Sequence, residues 1–151
     1  MRITHEADYA VRILAFLANT DQVVGAKEIS ARTGVTQRFT LKILHKLMGA
    51  AVVESFRGAS GGYRLKRRPA ELSLGEVIEI IDGPIQINHC LEGGYDCTRV
   101  EDKTCCQFHH VFRDVNRRLR ADLYDITMER FCQAPPEKDS ITVEQNPSHK
   151  R

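Results

Sequence analysis

Apolar residues recur every three or four positions in several stretches of the chain, the spacing that places them on one face of an α-helix. In the first stretch, THEADYAVRILAFLAN, Thr4 is the expected N-cap, and Ala10, Ile13, Leu14 and Leu17 share one face. Further helices are predicted over GAKEISARTG with Gly34 as C-terminal cap, VTQRFTLKILHKLMGA with Thr36 as N-cap, SLGEVIEIIDGP with Ser73 as N-cap, and Gln107 to about Phe131.

The second and third predicted helices are separated by a short turn that contains glycine, which is typical of a helix-turn-helix unit. The third helix is expected to bury one apolar face and to leave its polar residues in solvent. The residues expected inside are Leu41, Leu44, Leu47 and Met48, and those expected outside are Gln37, Arg38, Lys42 and Lys46.

Residues 52–67, VVESFRGASGGYRLKR, have β-prone ends around a glycine-rich centre, which predicts a two-stranded wing. The last predicted helix, of about 25 residues, would rise about 37 Å, so we expect its surplus apolar face to meet a second subunit. The expected fold class is mainly α with a small β wing. The predicted parts are a winged helix-turn-helix head over 1–84, a cysteine-rich loop over 85–106, a dimerisation helix over 107–132 and a flexible tail over 133–151.

Charge is distributed unevenly, although the net charge of the 151 residues is only +2. Residues 1–70 contain twelve Lys/Arg and five Asp/Glu, whereas residues 71–151 contain ten and fifteen. A basic helix-turn-helix suggests that double-stranded DNA is the partner, with the second helix in the major groove. The residues expected to contact DNA are Thr36, Gln37, Arg38, Thr40 and Lys42 in the helix, and Arg57, Gly58, Ser60, Gly61 and Tyr63 in the wing.

The N-terminal segment carries Glu6, Asp8 and Arg12 where a secretory signal would be apolar. No apolar run approaches the roughly 20 residues that span a bilayer. We therefore expect a cytoplasmic protein without a membrane partner. We find no nucleophile–base pair, phosphate loop or substrate-pocket signature, so we expect neither an enzyme nor a small-molecule substrate.

Four of the five cysteines lie within residues 90–106, in the segment HCLEGGYDCTRVEDKTCCQFHH. Clustered cysteines can form disulfides, hold a metal or an iron–sulfur cluster, or act as redox thiols. A reducing cytosol disfavours the first of these. The wide spacing lacks the paired knuckles of structural zinc sites and favours a cluster over zinc, and zinc over a thiol switch.

The segments MRITHEADYAVRIL, TLKILHKL, RGASGGYRL and SLGEVIEIIDGP, with the cysteine loop and the FRDV that follows it, resemble the Rrf2 family of bacterial winged-helix regulators. The likeness covers about residues 1–130. It implies a homodimer that binds operator DNA and holds a 2Fe–2S or 4Fe–4S cluster through three cysteines per subunit. These would be Cys90, Cys97 and Cys106, with Cys105 as the alternative to Cys106. The implied fourth ligand is His109, or Asp8 of the partner subunit.

The expected function is therefore that of a transcriptional regulator, a repressor in the simplest case. Its operator affinity would be controlled by an iron–sulfur cluster that senses redox state, nitric oxide or iron. Two alternatives stay open. One is a thiol- or zinc-based regulator of the same fold, and the other is an iron–sulfur electron carrier or scaffold. A carrier would have no use for the basic residues Arg38 and Arg57.

Overall fold

The computed structural model describes residues 3–132, and the predicted tail over 133–151 lies outside this range. The helices are α1 His5–Ala18, α2 Ala26–Thr33, α3 Gln37–Gly49, α4 Leu74–Asp82 and α5 Gln107–Asp125, and the strands are β1 Val53–Phe56 and β2 Gly62–Leu65. Short 3₁₀ turns cover Pro69–Glu71, His89–Leu91, Lys103–Cys105 and Met128–Phe131. This mainly helical architecture with a small sheet confirms the predicted fold class.

α1 is the central helix of the core and packs against α2, α3 and α4. The predicted cap is present, since the Ala7 N–H donates to the Thr4 hydroxyl oxygen at 3.3 Å. Ile13, Leu14 and Leu17 on the predicted apolar face are at most 1% exposed. Each side chain buried in this way contributes about 1.5–3 kcal/mol to folding, so this face holds the other helices together.

The helix-turn-helix is formed by α2, a tight turn and α3. Gly34 ends α2 with a φ of +70°, a left-handed conformation that favours glycine. Its N–H donates to the Ser30 carbonyl at 3.1 Å, and the Ser30 hydroxyl donates to the Val35 carbonyl at 2.6 Å. Val35 is buried, so the turn is part of the core and determines how α3 enters the fold.

The buried face of α3 differs from the predicted one. Thr40, Ile43 and Leu44 are completely buried, whereas Leu41 is 42% exposed. The Thr40 hydroxyl donates to the Val35 carbonyl at 3.4 Å, so its burial leaves it with a partner. The predictions that Leu41 lies in the core and that Thr40 contacts DNA are therefore wrong. Positions 40 and 41 both have the spacing of a buried helical face, and the turn before α3 decides which of them points inward.

The wing is an antiparallel hairpin in which Val53 lies opposite Leu65. It is attached to the chain between α1 and α2 because Tyr63 and Val24 exchange two backbone hydrogen bonds of 2.9 Å. A Cβ at Gly62 would collide with the Val24 backbone. Glycine at this position therefore allows the hairpin to lie close against the body of the protein.

α5 is shorter than predicted. It ends at Asp125 rather than near Phe131. The chain then becomes extended, and the Met128 N–H donates to the Leu72 carbonyl at 2.8 Å. Met128 is only 1% exposed, so the end of the described chain closes the core instead of prolonging the helix. Within residues 3–132, every helix is too short or too polar to span a membrane.

Candidate nucleic-acid interface and cysteine loop

The N-terminal turn of α3 presents the predicted reading residues to solvent. Thr36, Gln37 and Arg38 are exposed. None of the ion pairs within residues 3–132 involves Arg38 or Arg57. The five N–H donors of each guanidinium can therefore contact base edges or phosphates without breaking an ion pair.

Two outward residues of α3 are absent from the predicted DNA contacts. Leu41 and His45 are exposed and lie three and seven positions after Arg38, so these three side chains form one stripe along the outer face. An exposed apolar side chain in this place can contact a thymine methyl group. The sequence could have indicated their exposure, because a helical phase that buries position 40 instead of position 41 places both residues outside.

The two lysines of α3 are directed towards α1. Lys42 forms an ion pair with Glu6, and the Lys46 ammonium lies 3.3 Å from the same carboxylate and donates to the Ile81 carbonyl at 2.7 Å. The hydrogen bond from Lys42 lowers the pKa of Glu6, against the opposing effect of partial burial. The phosphate contact that the sequence predicts for Lys42 therefore competes with an acid inside the protein.

The tip of the wing is exposed and held by backbone bonds. Arg57, Gly58 and Ser60 are exposed, and Gly58 has a φ of +109°, which favours glycine. The Gly61 N–H donates to the Gly58 carbonyl at 3.0 Å. A Cβ at Gly61 would collide with the Phe56 carbonyl. The glycines thus produce a compact turn whose backbone and Arg57 side chain face solvent.

The base of the wing is less available for DNA than its composition suggests. Tyr63 is half-buried and packs against the core, so it anchors the hairpin, and its predicted DNA contact stays a prediction. Arg64 pairs with Glu54 at 2.7 Å, and Arg67 pairs with Glu76 at 2.5 Å. These guanidiniums are held by acids of the protein itself, whereas Arg38 of α3 and Arg57 at the wing tip form no ion pair within residues 3–132.

The cysteine loop connects α4 to α5, and its two ends are joined. Cys90 lies in the 3₁₀ turn His89–Leu91, and Cys106 is the N-cap of α5. His109, in the first turn of α5, has its Nδ1 atom 3.1 Å from the Cys90 carbonyl oxygen, a hydrogen bond when that nitrogen carries the proton. Cys90, Cys106 and His109 are therefore brought into one region by the fold.

The structure does not bring all of the predicted ligands together. All loop cysteines are free thiols, and Cys105 is the most exposed of them. Within residues 3–132, no three His, Cys, Asp or Glu side chains converge in the manner of a metal site. Asp8 forms an ion pair of 2.6 Å with Arg12 on α1.

The donor types of the loop nevertheless fit an iron–sulfur cluster. Thiolates hold such clusters, and the backbone N–H groups of Arg99 and Val100 lower the pKa of the Cys97 thiol, which favours the thiolate. Cys106 is the N-cap of α5 and His109 lies in its first turn, so both donors stand at the same end of the helix. Bringing the three sulfurs to one point would require a loop conformation different from this one.

Comparison with known proteins gives a consistent result. The Rrf2 family, described as an iron-dependent transcriptional regulator, matches residues 3–134. An Rrf2-like HTH-type transcriptional regulator of Rhodobacter capsulatus is 38% identical over 139 residues, which are 87% of this chain and 93% of the relative. The HTH-type transcriptional regulator IscR of Vibrio atlanticus is 32% identical over 130 residues, 85% of this chain and 73% of the relative.

The solved structure of T. potens IscR superimposes with a TM-score of 0.64 at 25% identity, covering 85% of this chain and 84% of that one. The expectation of a DNA-binding transcriptional regulator rather than an enzyme is thereby confirmed. The family match includes every described residue, and the helix-turn-helix and the wing agree with it. This chain belongs to the Rrf2 family of iron-dependent transcriptional regulators.

Proposed function

We propose that this regulator binds operator DNA as a homodimer and that an iron–sulfur cluster in the cysteine loop controls its affinity. The observation that carries the proposal is the hydrogen bond between His109 and the Cys90 carbonyl, which holds the start of the loop against the first turn of α5. A group that ligates Cys90, Cys97 and Cys106 would act on the same contact. The printed description of the family as iron-dependent supports this choice of ligand.

The DNA-binding part of the proposal rests on exposed donors. α3 would enter the major groove with Gln37 and Arg38 at the base edges, and Arg57 at the wing tip would contact the backbone or the minor groove. These side chains are exposed. Two such heads about one helical turn apart, near 34 Å, would read a pseudo-palindromic site.

The homodimer is supported by the uncovered apolar face of α5. None of its residues is fully buried within the described chain. Phe108, Val111 and Val115 are 57%, 56% and 39% exposed, and their spacing places them in one row. Apolar rows of this kind mark protein–protein contacts. The dimer would place the two cysteine loops beside the interface, since Phe108 lies two residues after Cys106.

The dimer can be tested with Val111→Glu in the full chain, which would bury a charge in the interface and should yield monomers in sedimentation analysis. Arg117→Glu is the matched control, because Arg117 is exposed on another side of the same helix. A dimer that survives Val111→Glu would rule out this face as the interface.

An iron–sulfur cluster, when bound, would supply chemistry that responds to oxidants, nitric oxide and iron supply. The protein's own part is to present thiolates and to transmit the ordering of the loop to α5. Ligation by His109 or by Asp8 of the partner subunit in place of a fourth thiolate would make the cluster easier to lose, which suits a sensor. A bound state can shift DNA binding only if the two loop states differ in operator affinity.

The experiment is an anaerobic absorption spectrum with iron and sulfide analysis of the wild type, Cys106→Ser and Cys105→Ser. Visible bands with matched iron and sulfide are expected in the wild type and in Cys105→Ser, and should be absent from Cys106→Ser. Operator affinity with and without the cluster is then compared at constant salt. A colourless, iron-free wild type, or equal affinities of the two forms, would refute cluster control.

A thiol- or zinc-based regulator of the same fold is the second candidate. It is favoured by two observations: the loop thiols do not converge, and Cys105 is exposed directly beside Cys106. In that case Cys105→Ser would abolish the response of operator binding to oxidant. The same substitution leaves the response intact if the cluster proposal is correct, so one variant separates the two.

A further inference from the structure

One face of α5 carries a continuous row of polar side chains directed at the body of the protein. Asn116, Arg120 and Tyr124 are spaced by four residues, and His109 lies seven positions before Asn116. His109 contacts the Cys90 carbonyl. The row therefore begins at the cysteine loop and runs along the side of α5 that contacts α4.

Glu79 of α4 receives three hydrogen bonds from this region. Its Oε2 atom accepts the Tyr124 hydroxyl at 2.5 Å and the Arg120 guanidinium at 3.0 Å, and its Oε1 atom accepts the Ile85 N–H at 3.0 Å. The Glu79 side chain is only 19% exposed. A half-enclosed carboxylate with three donors fixes both α5 and the chain that leaves α4.

Asn116 holds the next part of the same chain. Its amide oxygen accepts the Ile87 N–H at 3.0 Å, and its amide nitrogen donates to the Ile85 carbonyl at 2.9 Å. Cys90 follows three residues after Ile87. The path of the backbone into the cysteine loop is therefore set by side chains of α5 and by Glu79.

The last turn of α4, residues 79–82, also contacts the DNA-binding helices. The Ile81 carbonyl accepts the Lys46 ammonium of α3 at 2.7 Å, and Asp82 accepts the Thr4 hydroxyl, at the N-cap of α1, at 2.5 Å. Carbonyls in the last turn of a helix have no hydrogen-bond donor within that helix, so the Lys46 ammonium supplies the donor that the Ile81 carbonyl lacks. One turn of α4 thus joins α1, α3, α5 and the entry to the loop.

We propose that Glu79 and Asn116 are positioning residues that transmit the state of the cysteine loop to the reading helix α3 through the last turn of α4. A displaced loop would move Ile85 and Ile87, which are hydrogen-bonded to Glu79 and Asn116. A movement of Glu79 would in turn shift Ile81, two residues later on α4, whose carbonyl binds Lys46. The regulatory meaning of this inference rests on the proposed function. The hydrogen-bonded connection itself can be tested without a cluster.

The main test uses Glu79→Gln, which replaces one acceptor oxygen by an N–H₂ group and removes the ion pair with Arg120. Glu76→Gln is the matched control, because Glu76 lies one turn earlier on α4 and pairs with Arg67 instead of α5. Affinity for a duplex selected from a random pool by the wild type is measured with and without the cluster. Coupling residues of this kind change such ratios by about 2- to 30-fold.

In Glu79→Gln the ratio of the two affinities should therefore move towards one by a factor of about 2 to 30, while its visible spectrum stays that of the wild type. Glu76→Gln should keep both the wild-type ratio and spectrum. A purely structural role of Glu79 would weaken DNA binding of both forms equally. A wild-type ratio in Glu79→Gln would overturn the inference.

A second measurement uses cluster-free protein, with Asn116→Ala as a further variant in case Glu79→Gln folds poorly. Amide hydrogen exchange should become faster in residues 85–91 and also in residues 45–49 at the end of α3, and Glu76→Gln should show neither change. Unchanged exchange in residues 45–49 would overturn the inference. If the wild type holds no cluster, the proposed function fails, and this exchange experiment still decides whether the connection exists.

Discussion

The Glu6 carboxylate pairs with the lysines of α3, the helix proposed to enter the major groove, so removing the charge of Glu6 should strengthen DNA binding. The carboxylate pairs with Lys42 and lies 3.3 Å from the Lys46 ammonium. Glu6→Gln keeps the shape of the side chain but removes the charge that holds Lys42 towards α1. Lys42 has a side chain that is 53% exposed, so its ammonium can then turn to a phosphate.

The magnitude follows from counterion release. Each new phosphate contact steepens the slope of log K against log salt by about 0.9. If the two proteins bind equally at about 1 M salt, a slope steeper by about 0.9 makes the variant with the extra contact bind about eightfold more tightly at about 0.1 M salt. If Lys46 is released as well, the slope should steepen by about 1.8. Lys46 keeps its hydrogen bond to the Ile81 carbonyl, so we expect the smaller change.

The assay is fluorescence anisotropy of a labelled operator duplex over about 50–200 mM salt, the range in which phosphate contacts dominate the affinity. Glu129→Gln is the control, because it makes the same change in net charge at an exposed position after α5. Equal salt slopes for Glu6→Gln, Glu129→Gln and the wild type would refute the reasoning. They would mean that Glu6 does not withhold a lysine from DNA.

Three further predictions concern stability. Met128→Ala should lower the free energy of unfolding by about 2–5 kcal/mol because it leaves a cavity at a buried site. A loss below about 1 kcal/mol in a denaturant titration would contradict this prediction. Gly75→Ala should lower the melting temperature, since its Cβ would collide with the ring of Tyr124, and an unchanged melting temperature would argue against this close packing of α4 on α5. Burial tends to raise the pKa of Glu79, but the hydrogen bonds from Tyr124, the Ile85 N–H and Arg120 outweigh it and hold the pKa below its ordinary 4.5. The stability that Glu79 provides should therefore be complete above that value and lost as pH falls through the lowered pKa, so unfolding measured across this range should depend less on pH in Glu79→Gln.

The local architecture could be predicted from sequence because its signals act over a few residues. Thr4 and Ser73 cap α1 and α4 with their side chains, accepting hydrogen bonds of 3.3 and 3.1 Å, as their types and positions predict. Gly34 ends α2 because a left-handed residue is needed there. The glycines between β1 and β2 indicated the wing, since its turn requires a positive φ at Gly58.

The cysteine loop shows where prediction from sequence reaches its limit. The spacing of its thiols indicates the donor chemistry, and the i, i+3 relation of Cys106 and His109 indicates a shared helical face. The contact of His109 with the Cys90 carbonyl joins residues nineteen positions apart. Backbone carbonyls are common to every residue, so no side-chain pattern could identify this partner.

The family, the order of the elements, their caps and the residue types available for DNA and for a cluster all follow from the order of amino acids alone. The packed fold was needed to show that Thr40 rather than Leu41 points inward, that α5 ends at Asp125 so that Met128 can enter the core, and that Lys42 faces Glu6. These three features have a common cause. Helical periodicity and capping depend on neighbours a few residues away, whereas helix phase, core closure and ion pairing depend on groups that only the folded chain brings together.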